Sequence, residues 1–309
     1  MLLKLPKATL RRKKNRMALW PPRLTHAKAL TDIDGLRARY NAQFERLGPA
    51  LAEVSFTPGQ LGPLHGEWAR GTKSDPGRVI LYFHGGGYVA GSPTTHRVLT
   101  GRLVEASGIA AFSLRYRLAP ECPFPAAVRD GVDAYRALLA SGVAGGSIVL
   151  AGDEAGGGLA FAVALALRNG GFQIPGAVAA MSPWADLSLS GQAMLANRRT
   201  DTVLDWETLF LAARNYLGKS NPGDAYASPA YASLKGFPPV MVHAGANEIL
   251  RDDASKLGDR AAEAGVGVSV EIYDGMGHLF QAGANRSEAK ASLARLGQFL
   301  RARSQAMAA

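Results

Sequence analysis

Short apolar runs and amphipathic stretches alternate along most of this chain, and their spacing predicts its elements. The segments "RVILYFH" (78–84), "IAAFSLRY" (109–116), "SIVLAG" (147–152), "GAVAAMS" (176–182), "PVMVHAG" (239–245) and "VSVEIY" (268–273) read as strands. Each is short, largely apolar and bounded by turn residues, the mark of a strand buried on both faces. Helical spacing fills the gaps between them, over about 93–107, 127–141, 156–169 and 251–265, with a last helix near 286–303. An earlier helix is predicted over 32–47, where Ile33, Leu36, Tyr40 and Phe44 share a face and Asp32 stands at the capping position. Strands alternating with helices in this order predict an α/β fold with a parallel sheet covered on both sides.

Two regions break the rhythm. Residues 190–226 carry aromatic-rich pieces such as "LDWETLFLAARNYL" between two strand signals, and read as an insertion over one end of the sheet. Trp206, Phe210 and Tyr216 within it suit either an apolar cavity or plain packing. Residues 1–31 form a basic arm ended by Pro21-Pro22 and Arg23 onward, with nine Lys or Arg and no acid. Of the chain's net charge of +10, only +1 therefore belongs to the remaining 278 residues. A near-neutral body argues against a nucleic-acid-binding face. The arm lacks the continuous apolar core of a secretory signal. Leu2, Leu3, Leu5, Leu10, Met17 and Trp20 interleave with its charges, so weak contact of residues 1–20 with an anionic membrane surface is one expectation and a solvated arm the other. No run of about 18 apolar residues occurs to span a bilayer. The single cysteine, Cys122, excludes an internal disulfide and has no clustered partner for a metal. A cytoplasmic protein, with peripheral membrane contact at most and no cofactor, is expected.

Three motifs carry chemistry. His84-Gly85-Gly86-Gly87-Tyr88 follows a strand directly, and its glycines leave backbone N–H groups free to face an anion. Gly152-Asp153-Glu154-Ala155-Gly156 joins a strand to a helix with the G-x-[apex]-x-G spacing of a sharp elbow, whose apex is ordinarily a serine nucleophile. The helix that opens at Gly156 points its positive end at that apex. Asp274-Gly275-Met276-Gly277-His278 follows the last strand, where a loop histidine can reach the apex.

Together with "YRLAPECPFPAAVRD", "SPWADL" and "YASPAYASLKGFPPVMVHAGANEILRDDA", these segments resemble the bacterial hormone-sensitive-lipase family of α/β-hydrolases over roughly residues 35–303. The resemblance implies a mostly parallel eight-stranded sheet flanked by helices, one domain over 32–309, and a helical cap from about 32–50 and 190–226. It implies an oxyanion hole from Gly86, Gly87 and Ala155, a base at His278, and a small apolar carbonyl or ester-like ligand. Pairing of two copies through the last strand and helix is common in the family and is a further expectation.

Two departures fall on the catalytic positions. Glu154 stands where the family has serine, and Asn247 is matched to the aspartate that orients the histidine. Glu248 is adjacent, but strand alternation points it away. No second G-x-S-x-G occurs, and Ser182, after a neighbouring strand, is a remote substitute. A Glu154–His278–Asn247 site would move the one negative charge from one side of the imidazole to the other. Glutamate is also long enough to fold onto the N–H groups of Gly86, Gly87 and Ala155, or to pair with His278. Four outcomes are open: an esterase-lineage hydrolase with a non-standard site, a hydrolase with Glu154 as nucleophile as in epoxide hydrolases and haloalkane dehalogenases, a lyase or dehydratase using Glu154 and His278 as acid and base, or a ligand-binding pseudoenzyme.

Overall fold

The six apolar runs lie side by side in one sheet. In the computed structural model, which describes residues 33–45, 51–283 and 286–304, the chain runs α1 (Ile33–Glu45), β1 (Val54–Leu61), β2 (Leu64–Gly71), β3 (Asp75–Phe83), α2 (Arg97–Ser107), β4 (Ile109–Leu114), α3 (Ala126–Ala140), β5 (Ile148–Asp153), α4 (Ala155–Asn169) and β6 (Ala177–Met181). It continues through α5 (Ala193–Ala196), α6 (Trp206–Leu217), β7 (Val240–Gly245), α7 (Arg251–Glu263), β8 (Val268–Tyr273) and α8 (Ser287–Arg303). The eight strands are ordered β1-β2-β4-β3-β5-β6-β7-β8. β1 and β2 pair antiparallel, as do β2 and β4, and all other neighbours are parallel. The basic arm lies outside the described residues.

The strand periodicity divides the core in two. Leu81, Phe83, Leu150 and Val178 face α3, α4 and α7, while Ile80, Tyr82, Val149 and Ala179 face α2 and α8. This is why the central strands read as unbroken apolar runs: both faces are covered, so neither alternation nor charge survives in them.

The β1–β2 hairpin is not among the strands picked out by pattern, because Pro58, Gly59 and Gly66 interrupt its apolar sequence. Pro58 is tolerated because β1 is the sheet's edge. The second helix begins at Arg97 rather than near 93. Ser92 and Thr95 exchange side-chain and backbone hydrogen bonds at 2.8–3.2 Å, holding residues 92–95 as a turn instead of a first helical turn.

Helices α1 and α6, from the two segments expected to form a cap, both contact the segment that follows β3. From α1, the Arg37 guanidinium donates to Val89 O (2.9 Å) and Ala119 O (3.1 Å) and pairs with Glu121 at 2.7 Å. From α6, Tyr216 stacks on Tyr88 with ring centroids 3.8 Å apart. Trp206 and Phe210 of the same helix instead stack on each other and remain 44% exposed, so of the three aromatics only Tyr216 packs inward. Among the described residues no helix is long and apolar enough to cross a membrane.

Candidate active site

β5 and α4 meet at a single residue. Asp153 ends the strand, Ala155 opens the helix, and Glu154 between them has φ 49° and ψ −118°. A non-glycine residue at positive φ costs about 1–3 kcal/mol and persists only where its surroundings fix it. Here they do: Glu154 N donates to Met181 O (3.0 Å), and Glu154 O accepts from Trp184 N (2.8 Å) and Gly158 N (3.2 Å). Gly156 is required by close approach, since a Cβ there would strike the Phe83 carbonyl. The backbone is thus a nucleophile elbow, and it carries a carboxylate.

That carboxylate has a defined destination. Glu154 Oε2 accepts hydrogen bonds from Gly86 N at 2.6 Å and Gly87 N at 2.8 Å. Gly86 is at φ 119°, and a Cβ on it would strike Ala90 O, so only glycine lets this turn aim two successive N–H groups inward. Each such bond to a charged acceptor contributes about 1.5–3 kcal/mol. The α4 N-terminus adds a favourable field. Two of the three expected donors therefore hold Glu154, whereas Ala155 N is not among its partners. Nor does Glu154 form an ion pair with His278 among the described residues. The carboxylate oxygen Oε2 is directed into the glycine turn.

The orienting acid differs from the sequence expectation. His278 Nδ1 lies 2.9 Å from Glu248 Oε2, and Glu248 Oε1 accepts from Gly245 N at 3.1 Å. Asn247 does not partner the histidine. Its N–H donates to Met276 O and its carbonyl accepts from Thr200 Oγ1. The reason is local: β7 ends at Gly245, so residues 246–250 form a turn and strand alternation no longer decides which side chain points inward. The insertion pins that turn. Asn197 Nδ2 donates to Ala246 O and Glu248 O, both at 2.8 Å, and Asp201 Oδ2 accepts from Ile249 N at 2.9 Å. Neither Asn197 nor Asp201 was legible in sequence as part of the site.

The charge relocation expected from a Glu–His–Asn site is accordingly replaced by a Glu248–His278 pair, with Glu154 as a second carboxylate whose charge reaches the imidazole. Burial opposes the imidazolium, but the Glu248 hydrogen bond and charge, helped by Asp201 and Glu154, outweigh it and raise the His278 pKa above its ordinary value. Glu248 is fully buried, while Glu154 and His278 keep 4% and 5% exposure. The apex and imidazole thus form the accessible edge, with Glu248 behind.

A buried polar layer supports the elbow from below. Asp153 accepts from Tyr82 OH at 2.5 Å and lies 3.2 Å from His96 Nε2. Burial pushes the Asp153 carboxyl up, but His96 and the Tyr82 hydroxyl more than offset it and hold the group below its usual range. His84 stacks on Tyr116 with its Nδ1 2.8 Å from Gly85 O. Burial and the neighbouring His96 push its pKa down to about 3, so it is a neutral wedge under the glycine turn. Ser182 is not an available nucleophile: its Oγ accepts from Leu279 N at 3.1 Å and it is fully buried, fixing the residue after His278.

Comparison with known proteins agrees with this architecture. Residues 80–282 match a family described as alpha/beta hydrolase fold. An acetyl-hydrolase of Streptomyces hygroscopicus is 41% identical over 240 residues, covering 77% of this chain and 80% of that protein. An esterase of Acinetobacter venetianus is 35% identical, covering 83% and 85%. Among solved structures, an esterase from the bacterial hormone-sensitive lipase family superposes with a TM-score of 0.85 at 37% identity, covering 91% of this chain and all of that one. EstE5, solved after soaking with p-nitrophenyl butyrate, gives 0.84 at 36% identity, covering 90% and 97%. With an elbow, a glycine turn and an acid–histidine pair in register on this sheet, the chain belongs to the bacterial hormone-sensitive-lipase family of α/β-hydrolases, an esterase and lipase lineage.

Proposed function

We propose that this member of an esterase lineage does not turn over carboxylic esters by the serine route, and that Glu154 takes the place of the substrate's oxyanion in the glycine turn. The position of Glu154 Oε2, 2.6 and 2.8 Å from Gly86 N and Gly87 N, carries the reading. Ester hydrolysis needs those donors free for the charge that develops on the substrate carbonyl oxygen, and losing one such donor typically costs about 10²–10³ in rate. Here a neutral ester oxygen has to displace a carboxylate held by two charged hydrogen bonds, in a site with no serine at the apex.

The rest of the machinery supports a site that still receives a small apolar ligand. The elbow and the Glu248–His278 pair are present, with Glu154 and His278 slightly exposed at 4% and 5%. A substitution at one residue therefore suffices to recover ester chemistry. Wild-type protein is expected to leave p-nitrophenyl butyrate at the background rate and to resist a fluorophosphonate probe. E154S is expected to hydrolyse the ester at least about 10²–10³ times faster and to take the label at position 154. Labelling of the wild type, or an inert E154S that remains folded, would overturn the proposal.

A further inference from the structure

Glu154 sits in its turn as an acylated serine would. Its Cγ occupies the place of a serine Oγ, its Cδ the place of the acyl carbon, and its Oε2 lies in the donor pair that receives an acyl carbonyl oxygen. Oε1 is not held by that pair. Two parts of the second half of an ester hydrolysis are therefore present: a polarised C–O group, and a histidine whose Nδ1 is taken by Glu248, which leaves Nε2 as the ring nitrogen to activate water. What is missing is an ester at Glu154, which an alkyl electrophile can supply.

We propose that Glu154 is a carboxylate nucleophile toward small apolar epoxides, forming an alkyl ester through Oε1 that His278 and Glu248 then hydrolyse by directing water onto Cδ. The step rests on the occupied glycine turn proposed above. It explains why filling the turn need not silence the site. Attack on an acyl donor needs an empty oxyanion hole, whereas displacement at an sp³ carbon of a strained ring does not. It needs a proton for the departing alkoxide instead.

The bonds and protons balance. Oε1 forms a bond to the ring carbon as the ring C–O bond breaks, and the His278 imidazolium gives its proton to the alkoxide, leaving a neutral hydroxyalkyl ester and a neutral imidazole. His278 Nε2 next takes a proton from water as the hydroxide oxygen bonds to Cδ. The Oε2 oxyanion is held by Gly86 N and Gly87 N. Collapse breaks the Cδ–Oε1 bond, the alcohol takes the proton back from His278, and the carboxylic acid of Glu154 returns its proton to the imidazole. The sum is epoxide plus water to diol.

The electrostatics favour this order. The Glu154 charge adds to the Glu248 and Asp201 effects that raise the His278 pKa, in the direction the first step requires. Alkylation removes that charge and releases the imidazole to act as a base.

The test uses the full chain with styrene oxide and propylene oxide. In wild type quenched with acid during turnover, peptide mass spectrometry should find a one-to-one adduct on Glu154, while E154Q, isosteric but not nucleophilic, should form none. In a single wild-type turnover in oxygen-18 water, the label should enter Glu154 and not the diol. Label found in the diol alone shows direct attack by water and overturns the proposal. Absence of both the adduct and the oxygen-18 label from Glu154 overturns it as well. If E154S still hydrolyses p-nitrophenyl butyrate in that case, only the nucleophile assignment falls. If E154S is inert too, the occupied-turn reading falls with it.

Discussion

The two halves of the site changed in opposite ways. On the elbow side the backbone has the turn of a serine hydrolase, from the apex at φ 49° to the glycine at φ 119°, but the side chain at the apex is a carboxylate. On the histidine side the sequence around Asn247 suggests a lost acid, yet an acid–histidine pair is present because Glu248 supplies the carboxylate from the next position. An elbow backbone therefore does not dictate the side chain at its apex, and an altered residue in a motif does not mean a lost acid. What decides each case is where the oxygen ends up. Glu154 places one against two amide N–H groups, and Glu248 places one against an imidazole.

The sharpest way to break this contrast is to remove the acid after restoring the nucleophile. In an E154S background, E248Q is expected to lose about 10³–10⁴ of kcat/KM on p-nitrophenyl butyrate, the scale found when a triad carboxylate becomes an amide. Retention of most of the activity would show that Glu248 is a structural neighbour of His278 only.

The next effect concerns the support beneath the elbow. Y82F removes the hydroxyl that donates to Asp153 and leaves a fully buried carboxylate oxygen short of a partner. A loss of about 1–3 kcal/mol in urea unfolding is expected. An unchanged midpoint would assign Asp153's stability to His96 alone.

A smaller effect distinguishes His278 by pH. Its folded pKa is raised, so the native state binds its proton more tightly than the unfolded chain, and stability falls as pH rises from 6.5 through the folded value. His84 and His243, pushed down to about 3 and about 4, act with the opposite sign and have finished contributing above 6.5. The decline on the alkaline side should therefore be steeper in wild type than in H278Q, where Asp253, raised to about 8 by burial, still contributes a decline of the same sign. Parallel curves would contradict the two-carboxylate environment. The smallest effect belongs to N247D, which in the E154S background should alter kcat/KM by less than about twofold, since a residue outside the acid–histidine pair lacks the leverage of a triad member. A larger gain would return the orienting role to position 247.

Much of this was legible in the sequence because it is periodic or glycine-marked. The central strands are apolar on both faces, and close approach at Gly86 and Gly156 admits no other residue, so the sheet, the elbow and the glycine turn could be placed before any coordinates. The β1–β2 hairpin could not, since an edge strand tolerates Pro58 and so loses the apolar pattern. The acid was missed for a related reason. Alternation predicts side-chain direction only while the strand lasts, and β7 stops at Gly245, three residues before Glu248. Asn197 and Asp201, which fix that turn from the insertion, are polar residues in an irregular segment and carry no pattern at all.

The central claim is that the Glu154 carboxylate occupies the glycine turn, and the amide protons of Gly86 and Gly87 report on it directly. In glycine-labelled protein, NMR should find both protons far downfield and slow to exchange in wild type, with both moving upfield in E154A. Glycine amides that ignore the loss of the carboxylate would contradict the account.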